Sequence, residues 1–277
     1  MLVTIRLWGL FNEMIKVNTR HPLLFPALIN YVSLNMNLQN LLAHRRSVRL
    51  FSDKKSIPPI DVEDCLKQAT LAPTSSNMQL WQFIHLVDDK WREELTKACL
   101  GQTAASTATQ WVVFVTRQDL FRSRAKFLLN FEKGNIEQNS PLERQAKRIA
   151  LREVYYGRLM PFLYARFFRL LGIVRKLIVF FMGMFRPVVR EVSETQMRTV
   201  VHKSCALAAQ TFMLAMAEKG YDTCPMEGFD SKKVKKLLQL PRGTDINMII
   251  SCGIRDGKKG IWGDRCRVPF EEVYERR

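Results

Sequence analysis

Histidine, paired cysteine and acid are all in short supply in this 277-residue chain. The four histidines stand at 21, 44, 85 and 202 with no HExxH pattern among them, so no metal site is assigned. The six cysteines, at 65, 99, 205, 224, 252 and 266, include no pair at CxxC spacing. That argues against a zinc ribbon or a thioredoxin-type site and for reduced thiols in a cytoplasmic compartment. Glu13 is the only acid before Asp53, and Arg158–Arg190 contains none at all. The net charge of +17 calls for an acidic partner: anionic lipid, nucleic acid, or anionic cofactors and substrates. No internal repeat or low-complexity tract is visible. The apolar fraction of 47% excludes general disorder, and the length suffices for one large domain or two small ones.

Apolar residues are grouped by period. A helix over Met1–Arg20 would gather Leu7, Phe11, Met14 and Ile15 on one face, either packed on a domain or lying on a membrane surface. His21–Asn37, with Pro22 and Pro26, reads as an irregular connection. Residues 1–37 are therefore taken as an amphipathic extension. Leu38, Leu41 and Leu42 would anchor the next helix. Pro58-Pro59-Ile60-Asp61 opens another, with Asp61 capping free amides. WQFIHLV at 81–87, WVVFVT at 111–116 and INMIISCGI at 246–254 read as strands. Trp91, Leu95 and Cys99 mark a helix ending near Gly101. Gln196–Lys219 is the longest clear helix, rich in small residues and stopped by Gly220. Asp230 caps a short helix that buries Val234, Leu237 and Leu238. Phe131–Lys147, polar and mixed in charge, reads as a loop or exposed helix.

Seven basic residues (158, 166, 169, 175, 176, 186 and 190) interleave with a nearly continuous Phe/Leu/Ile face in the acid-free stretch. Its longest uncharged run, Leu177–Phe185, is nine residues, against the roughly 20 that a spanning helix needs. A basic, aromatic-rich helix lying in the interface of an anionic leaflet fits this pattern. The alternative is a helical hairpin covering an active site or a dimer seam. Nucleic acid is not expected, because its binding sites pair basic residues with polar ones and spaced aromatics.

His44–Trp81 carries the chemistry. Arg45, Arg46 and Arg49 beside Ser47 suit a phosphate, since guanidinium donates in a planar fork that matches its oxygens. Ala72-Pro73-Thr74-Ser75-Ser76-Asn77 is a loop of small polar residues suited to close approach by a flat ligand. HRRSVRLF followed by APTSSNMQLWQF resembles the opening signature of the FMN-dependent nitroreductase family. GYDTCPMEGFD at 220–230 is similar to that family's second flavin segment, and Arg265-Cys266-Arg267-Val268-Pro269 to its C-terminal phosphate clamp. The resemblance covers roughly Leu38–Gln118 and Glu194–Tyr274, so residues 38–277 read as one FMN domain interrupted by an insertion over 119–193.

The resemblance implies an α+β fold, a mainly antiparallel sheet wrapped by helices, in a homodimer whose FMN sites are shared between subunits. It makes Arg45, Ser47 and Arg267 the phosphate and ribityl anchors, with Arg265 assisting and Arg46 contributing its backbone. Arg49 falls near the flavin pyrimidine edge, where a positive charge stabilises the reduced ring. Pro73, Thr74, Ser75 and Asn77 match the loop that reaches the partner's flavin. Thr74 stands where the family has serine, and Leu80 replaces the usual proline before Trp81. Met226, Glu227 and Gly228 match the segment whose amides face flavin N5 and O4, and Gln102 matches an amide at the flavin edge. No catalytic side chain is assigned, because the flavin carries the electrons. The implied reaction is ping-pong: NADH or NADPH gives up hydride and leaves, and a nitroaromatic, quinone or related acceptor takes its place. The competing class is a peripheral membrane module, on the inner face of a membrane, that keeps the fold as a scaffold.

Overall fold

The structure, a computed structural model, describes residues 37–277. The expected helix over Met1–Arg20 and the connection after it lie outside the described residues, Asn37 excepted. The chain divides into two compact units, Met1–His44 and Arg45–Arg277. In the first, helix α1 (Leu38–His44) is started by Asn37, whose side-chain oxygen accepts from Asn40 N at 2.9 Å. Its leucines are not the anchors the spacing suggests: Leu38 and Leu42 are exposed.

The second unit is built on four strands, β1 (Trp81–Leu86), β2 (Gln110–Thr116), β3 (Asp222–Met226) and β4 (Asp245–Gly253). They lie in the order β1-β2-β4-β3, every pair antiparallel. The fold is thus the α+β arrangement expected. Strand β2 is central and buried along its whole length, which is why it reads as an unbroken apolar run. Its side chains alternate between two cores. Val112 and Phe114 join one cluster; Trp111, Val113 and Val115 join another with Leu95, Ala104 and Ile249. Strand β3 escapes sequence reading because Pro225 interrupts it, and proline is tolerated there because β3 lies at the sheet's edge.

Helix α2 (Pro59–Ala69) and the 25-residue helix α9 (Glu194–Glu218) cover the first core. Between β1 and α9 run α3 (Arg92–Ala98), α4 (Thr103–Thr107), α5 (Phe121–Asn139), α6 (Leu142–Val154), α7 (Met160–Tyr164) and α8 (Leu170–Met182). Two further helices, α10 (Ser231–Leu237) and α11 (Phe270–Val273), flank β4 in sequence. Phe83, Phe114 and Phe212 form an aromatic ladder from sheet to α9, with centroids 4.9 and 5.6 Å apart. Among the described residues α9 alone is long and apolar enough to cross a membrane by composition, but more than half of its apolar window is buried in this core. It begins in a capping box: Ser193 Oγ accepts from Gln196 N at 3.2 Å, and Ser193 N donates to Gln196 Oε1 at 3.1 Å. Asp230 caps α10 as expected, accepting from Lys232 N and Lys233 N.

Asp61 does not cap α2. Pro58 occupies the N-cap, and Asp61 reaches α9's end instead, accepting from Lys219 Nζ at 2.7 Å and from Tyr221 Oη at 2.5 Å. The Lys219 bond, then the Tyr221 bond, hold the Asp61 carboxyl below its ordinary range against a smaller effect of burial. Burial, then the bond to Asp61, push the Tyr221 phenol up to about 12. Stability from Tyr221 is complete below its unfolded value near 10 and is lost as pH rises through about 12. Stability from Asp61 is complete above its unfolded value near 3.9 and is lost as pH falls through its lowered folded value. Tyr221→Phe should remove this alkaline loss, seen as a denaturation midpoint that no longer drops with Tyr221's titration.

The 119–193 segment is helical almost throughout. The polar stretch at 131–147 is two helices, α5 and α6, antiparallel and pinned by Lys133 to Glu153 at 2.5 Å and Arg152 to Glu132 at 3.1 Å. A π-turn (Tyr155–Leu159) follows, then α7. Tyr156, Met160 and Tyr164 pack with Met78, Leu80, Met197 and Val201 in a third cluster under the 73–80 loop. Phe168 and Arg169, both at positive φ, turn the chain into α8. In α8 only Gly172 and Arg175 are buried. A Cβ on Gly172 would stand 3.0 Å from Glu194 N, so α8 rests directly on the start of α9.

Candidate active site

Arg45–Ser52 meets the free edge of β3 at Ser47 and Val48 and then pairs with the residues that follow β4. Val48 N donates to Thr223 O at 3.0 Å, Ser47 bridges Thr223, and Ser52 N donates to Ile254 O at 2.8 Å. Backbone pairing of this kind fixes alternate side chains on opposite sides. Val48 is driven into the core, while Ser47 and Arg49 are left exposed. The C-terminal loop folds back over them: Arg265 Nη2 donates to Arg45 O at 2.7 Å, and Arg46 Nη2 to Gly263 O at 3.0 Å. The result is a cleft of about 290 Å³ lined by Arg45, Arg46, Ser47, Arg49, Arg265 and Arg267. Asp264 is the one acid on its wall. The Arg45 guanidinium is held below its ordinary value first by burial, then by Arg265, Arg267 and Arg46. An anion in the cleft would relieve that repulsion, and a phosphate matches the donor set.

Gly260 sets the spacing of this cleft. Its carbonyl accepts from Arg49 N at 2.9 Å, and a Cβ there would stand 2.7 Å from Leu50 O and 2.8 Å from Arg255 Cβ. Gly260→Ala should therefore push the two walls apart at a cost of about 1–3 kcal/mol. Denaturation with and without added inorganic phosphate checks this: the variant should lose stability and also part of the phosphate-dependent gain.

The other residues expected on this side converge as well. Arg49 is close enough to Cys224 in β3 to oppose the rise of its thiol pKa by burial. Beyond β3's end, Gln102 Nε2 donates to Gly228 O at 2.6 Å across 126 residues of sequence. A Cβ on Gly228 would stand 3.4 Å from that amide. Met226 is buried, with Ser251 Oγ 3.8 Å from its Sδ, whereas Glu227 and Gly228 are exposed. Residues 227 and 228 are thus presented to solvent just beyond a buried Met226.

The hydroxyl loop lies elsewhere. Pro73, Thr74, Ser75 and Asn77 precede β1, at the sheet edge opposite β3. Three strand spacings, about 14 Å, separate the two edges. Thr74 Oγ1 accepts from Gln79 N at 3.2 Å, and Asn77 N donates to Thr74 O at 3.0 Å. Ser76, Asn77 and Gln79 adopt positive φ, so the turn is tightly wound. It leaves Pro73, Ser75 and Asn77 exposed, while Ser76 Oγ meets Tyr155 Oη at 2.8 Å. The fourteen expected site residues therefore fall into two groups on opposite edges of one sheet. Sequence reading missed Trp262 and Asp264, which line the cleft. The glycines at 257, 260 and 263 were the available signal, marking a loop folded tightly before Arg265.

A family model described as the nitroreductase family matches residues 42–254. MhqN of Bacillus subtilis is 24% identical over 221 residues, 77% of this chain and 86% of MhqN. A solved structure from Streptococcus pneumoniae is 23% identical with a TM-score of 0.61, covering 87% of this chain and all of that one (100%). Another, an FMN complex from Exiguobacterium sibiricum, is 18% identical with a TM-score of 0.60, covering 87% of this chain and 98% of its own.

Proposed function

The chain belongs to the nitroreductase family, and from that premise we propose how this FMN-dependent NAD(P)H oxidoreductase is assembled and where it works. Arg45, Ser47, Arg265 and Arg267 hold the FMN phosphate and ribityl chain, and the Arg46 backbone supports them. Arg49 sits at the pyrimidine edge. The 226–228 backbone and Gln102 border the redox edge of the ring. Bound there, FMN supplies hydride acceptance and donation. The carrying observation is the cleft itself: five guanidiniums brought to the edge of β3, the strand that leads into the exposed Glu227 and Gly228.

Pro73, Thr74, Ser75 and Asn77 complete a partner's site in a homodimer. Their place at the opposite sheet edge, with Pro73, Ser75 and Asn77 exposed, supports this. Reduced nicotinamide and acceptor use the same space in turn, in a ping-pong cycle. MhqN is named as an NAD(P)H nitroreductase, which favours a nitroaromatic, quinone or similar acceptor.

The 119–193 segment attaches the enzyme to an anionic membrane surface, on the inner face, through residues 158–190. Helix α8 supports this by an inverted pattern: its arginine is 1% exposed, while Leu177, Phe180 and Phe181 stand in solvent. Phe168 and Phe185 at its two ends are 87% and 86% exposed. An apolar surface this continuous marks an interaction site. Six exposed basic residues without an acid favour anionic lipid over a second copy of the same face, which would set like charge against like. At 13 residues α8 is about 20 Å long, short of the ~30 Å hydrocarbon core, so it lies along the surface.

An absorbance spectrum of the purified protein, followed by anaerobic addition of NADH or NADPH, tests the redox assembly. Flavin bands that bleach and recover with added quinone or nitroaromatic are expected. Absence of flavin, with no uptake of supplied FMN, would overturn it. In parallel, the protein should float with anionic vesicles and Phe181→Asp should sink. A colourless protein that floats would leave the binding-module reading in its place.

A further inference from the structure

A second cavity, about 800 Å³, lies between the hydroxyl loop and the exposed helix α8. Its walls come from Ser75 and Ser76, from Tyr155 through Tyr164, from one side of α8, from residues 186–192 and from the start of α9. We propose that this chamber holds the hydrocarbon tail of a single-chain amphiphilic electron acceptor, whose oxygen-bearing head lies at Ser75, Ser76 and Tyr155. The inference rests on the reading above that Ser75 belongs to a shared flavin site and that α8 faces a membrane.

The size falls within the roughly 300–1,000 Å³ range of small-molecule sites. The lining is mostly apolar: Phe162, Leu163, Val179, Met182, Met197 and Val200 all contribute. Three methionines, Met160 among them, give the wall the adaptability that a flexible chain needs. Hydroxyl groups gather at the loop end, where Ser76 Oγ and Tyr155 Oη share a hydrogen bond of 2.8 Å that leaves one of their two protons for a carbonyl oxygen. The cations Arg175, Arg186 and Lys203 outnumber the single acid Glu191 on the wall, which disfavours a basic occupant and leaves a neutral or anionic one. Arg175 is buried here with its Nε unbonded, its other nitrogens held by Val192 O at 3.4 Å and by Ala165 O, and Phe162's ring 5.3 Å away. That stacking keeps the guanidinium fixed in an apolar wall.

Position argues for a tail rather than a compact ligand. Ile178, Val179 and Met182 line the chamber, while their sequence neighbours Leu177, Phe180 and Phe181 are exposed on the proposed membrane face. Helix α8 thus has one side on the chamber and another on the bilayer, so a chain passing around it stays against apolar surface throughout. The opposite wall is the loop that serves the redox site. A tail subsite here lets the enzyme take its acceptor from lipid without passing it through water.

The test uses the full-length, FMN-loaded protein and a series of 2-alkyl-1,4-naphthoquinones with progressively longer saturated tails. Dissociation constants are read from quenching of intrinsic tryptophan and tyrosine fluorescence. Each added methylene should tighten binding about fourfold until the chamber is full, after which the gain should stop. Val179→Trp, and separately Val200→Trp, should abolish the dependence on tail length. FMN content and the thermal melt report whether each variant is folded. Affinity independent of tail length, or a length dependence that both folded variants keep, overturns the chamber. A wild-type protein that binds no FMN or does not float on anionic vesicles overturns the underlying assembly instead, so the two failures are distinguishable.

Discussion

Alanine at both Arg45 and Arg267 should leave the purified protein without bound FMN. Both guanidiniums line the cleft, and the backbone carbonyl of one of them anchors Arg265 across it. Hydrogen bonds to a charged group contribute about 1.5–3 kcal/mol each, so losing two should weaken binding by roughly 10²–10⁴-fold. The control lies in the electrostatics. Because Arg45 is destabilised by Arg265, Arg267 and Arg46, removing two of these charges relieves repulsion in the flavin-free protein. The double variant should thus melt no lower than flavin-free wild type while binding FMN far more weakly, and its residual affinity should depend less steeply on salt. Fluorescence titration with FMN, beside a melt of both flavin-free proteins, measures the pair of effects. Full occupancy in the double variant would mean that the phosphate lies elsewhere.

Asp222→Ala should destabilise the protein by about 3 kcal/mol, the lower end of the range for breaking a buried ion pair. The carboxylate is 4% exposed at the start of β3. It accepts from Arg255 N and Arg255 Nε, both at 2.8 Å, and from Arg255 Nη2. Removing it takes the carboxylate bonds away from a half-buried guanidinium. Arg255 bridges Phe51, so the pair ties the end of β4 to the strand carrying Arg45 and Arg49. The melting temperature should drop by roughly 6–12 °C, and phosphate affinity should fall with it, because the cleft loses one of its two walls' anchors. Asp222→Asn, which keeps the shape and part of the hydrogen bonding, should fall between. A change below about 1 kcal/mol in calorimetry would show that Arg255 finds another partner.

What the sequence revealed depended on how strongly each segment's surroundings forced its pattern. β2 and β4 are buried on both faces, and only an apolar run satisfies that, so both were legible. β3 was hidden by Pro225, whose missing donor is harmless only at an edge that sequence alone does not reveal. Asp61 three residues after Pro58 looks like a cap, but a carboxylate is satisfied equally by Lys219 and Tyr221, which lie 158 and 160 residues away. Ser193-x-x-Gln196 was a readable capping box and would have placed the start of α9 correctly. In α8 the apolar residues surround the helix, so periodicity could not say which face turns inward, and the buried side is the one with the arginine. The site residues were legible only through motif resemblance. Their division between two edges needed the strand order, which pairs segments that no local pattern connects.

That division has a genetic consequence. In the shared-site arrangement we propose, a chain ruined at Arg45 and Arg267 still carries a sound loop, and a chain ruined at Ser75 still carries a sound cleft. Each alone is dead, yet a mixed pair assembles one complete centre from the undamaged half of each. Co-expressing the two should restore colour and turnover to a fraction set by random pairing, and alleles of the two kinds should complement one another while alleles of the same kind do not.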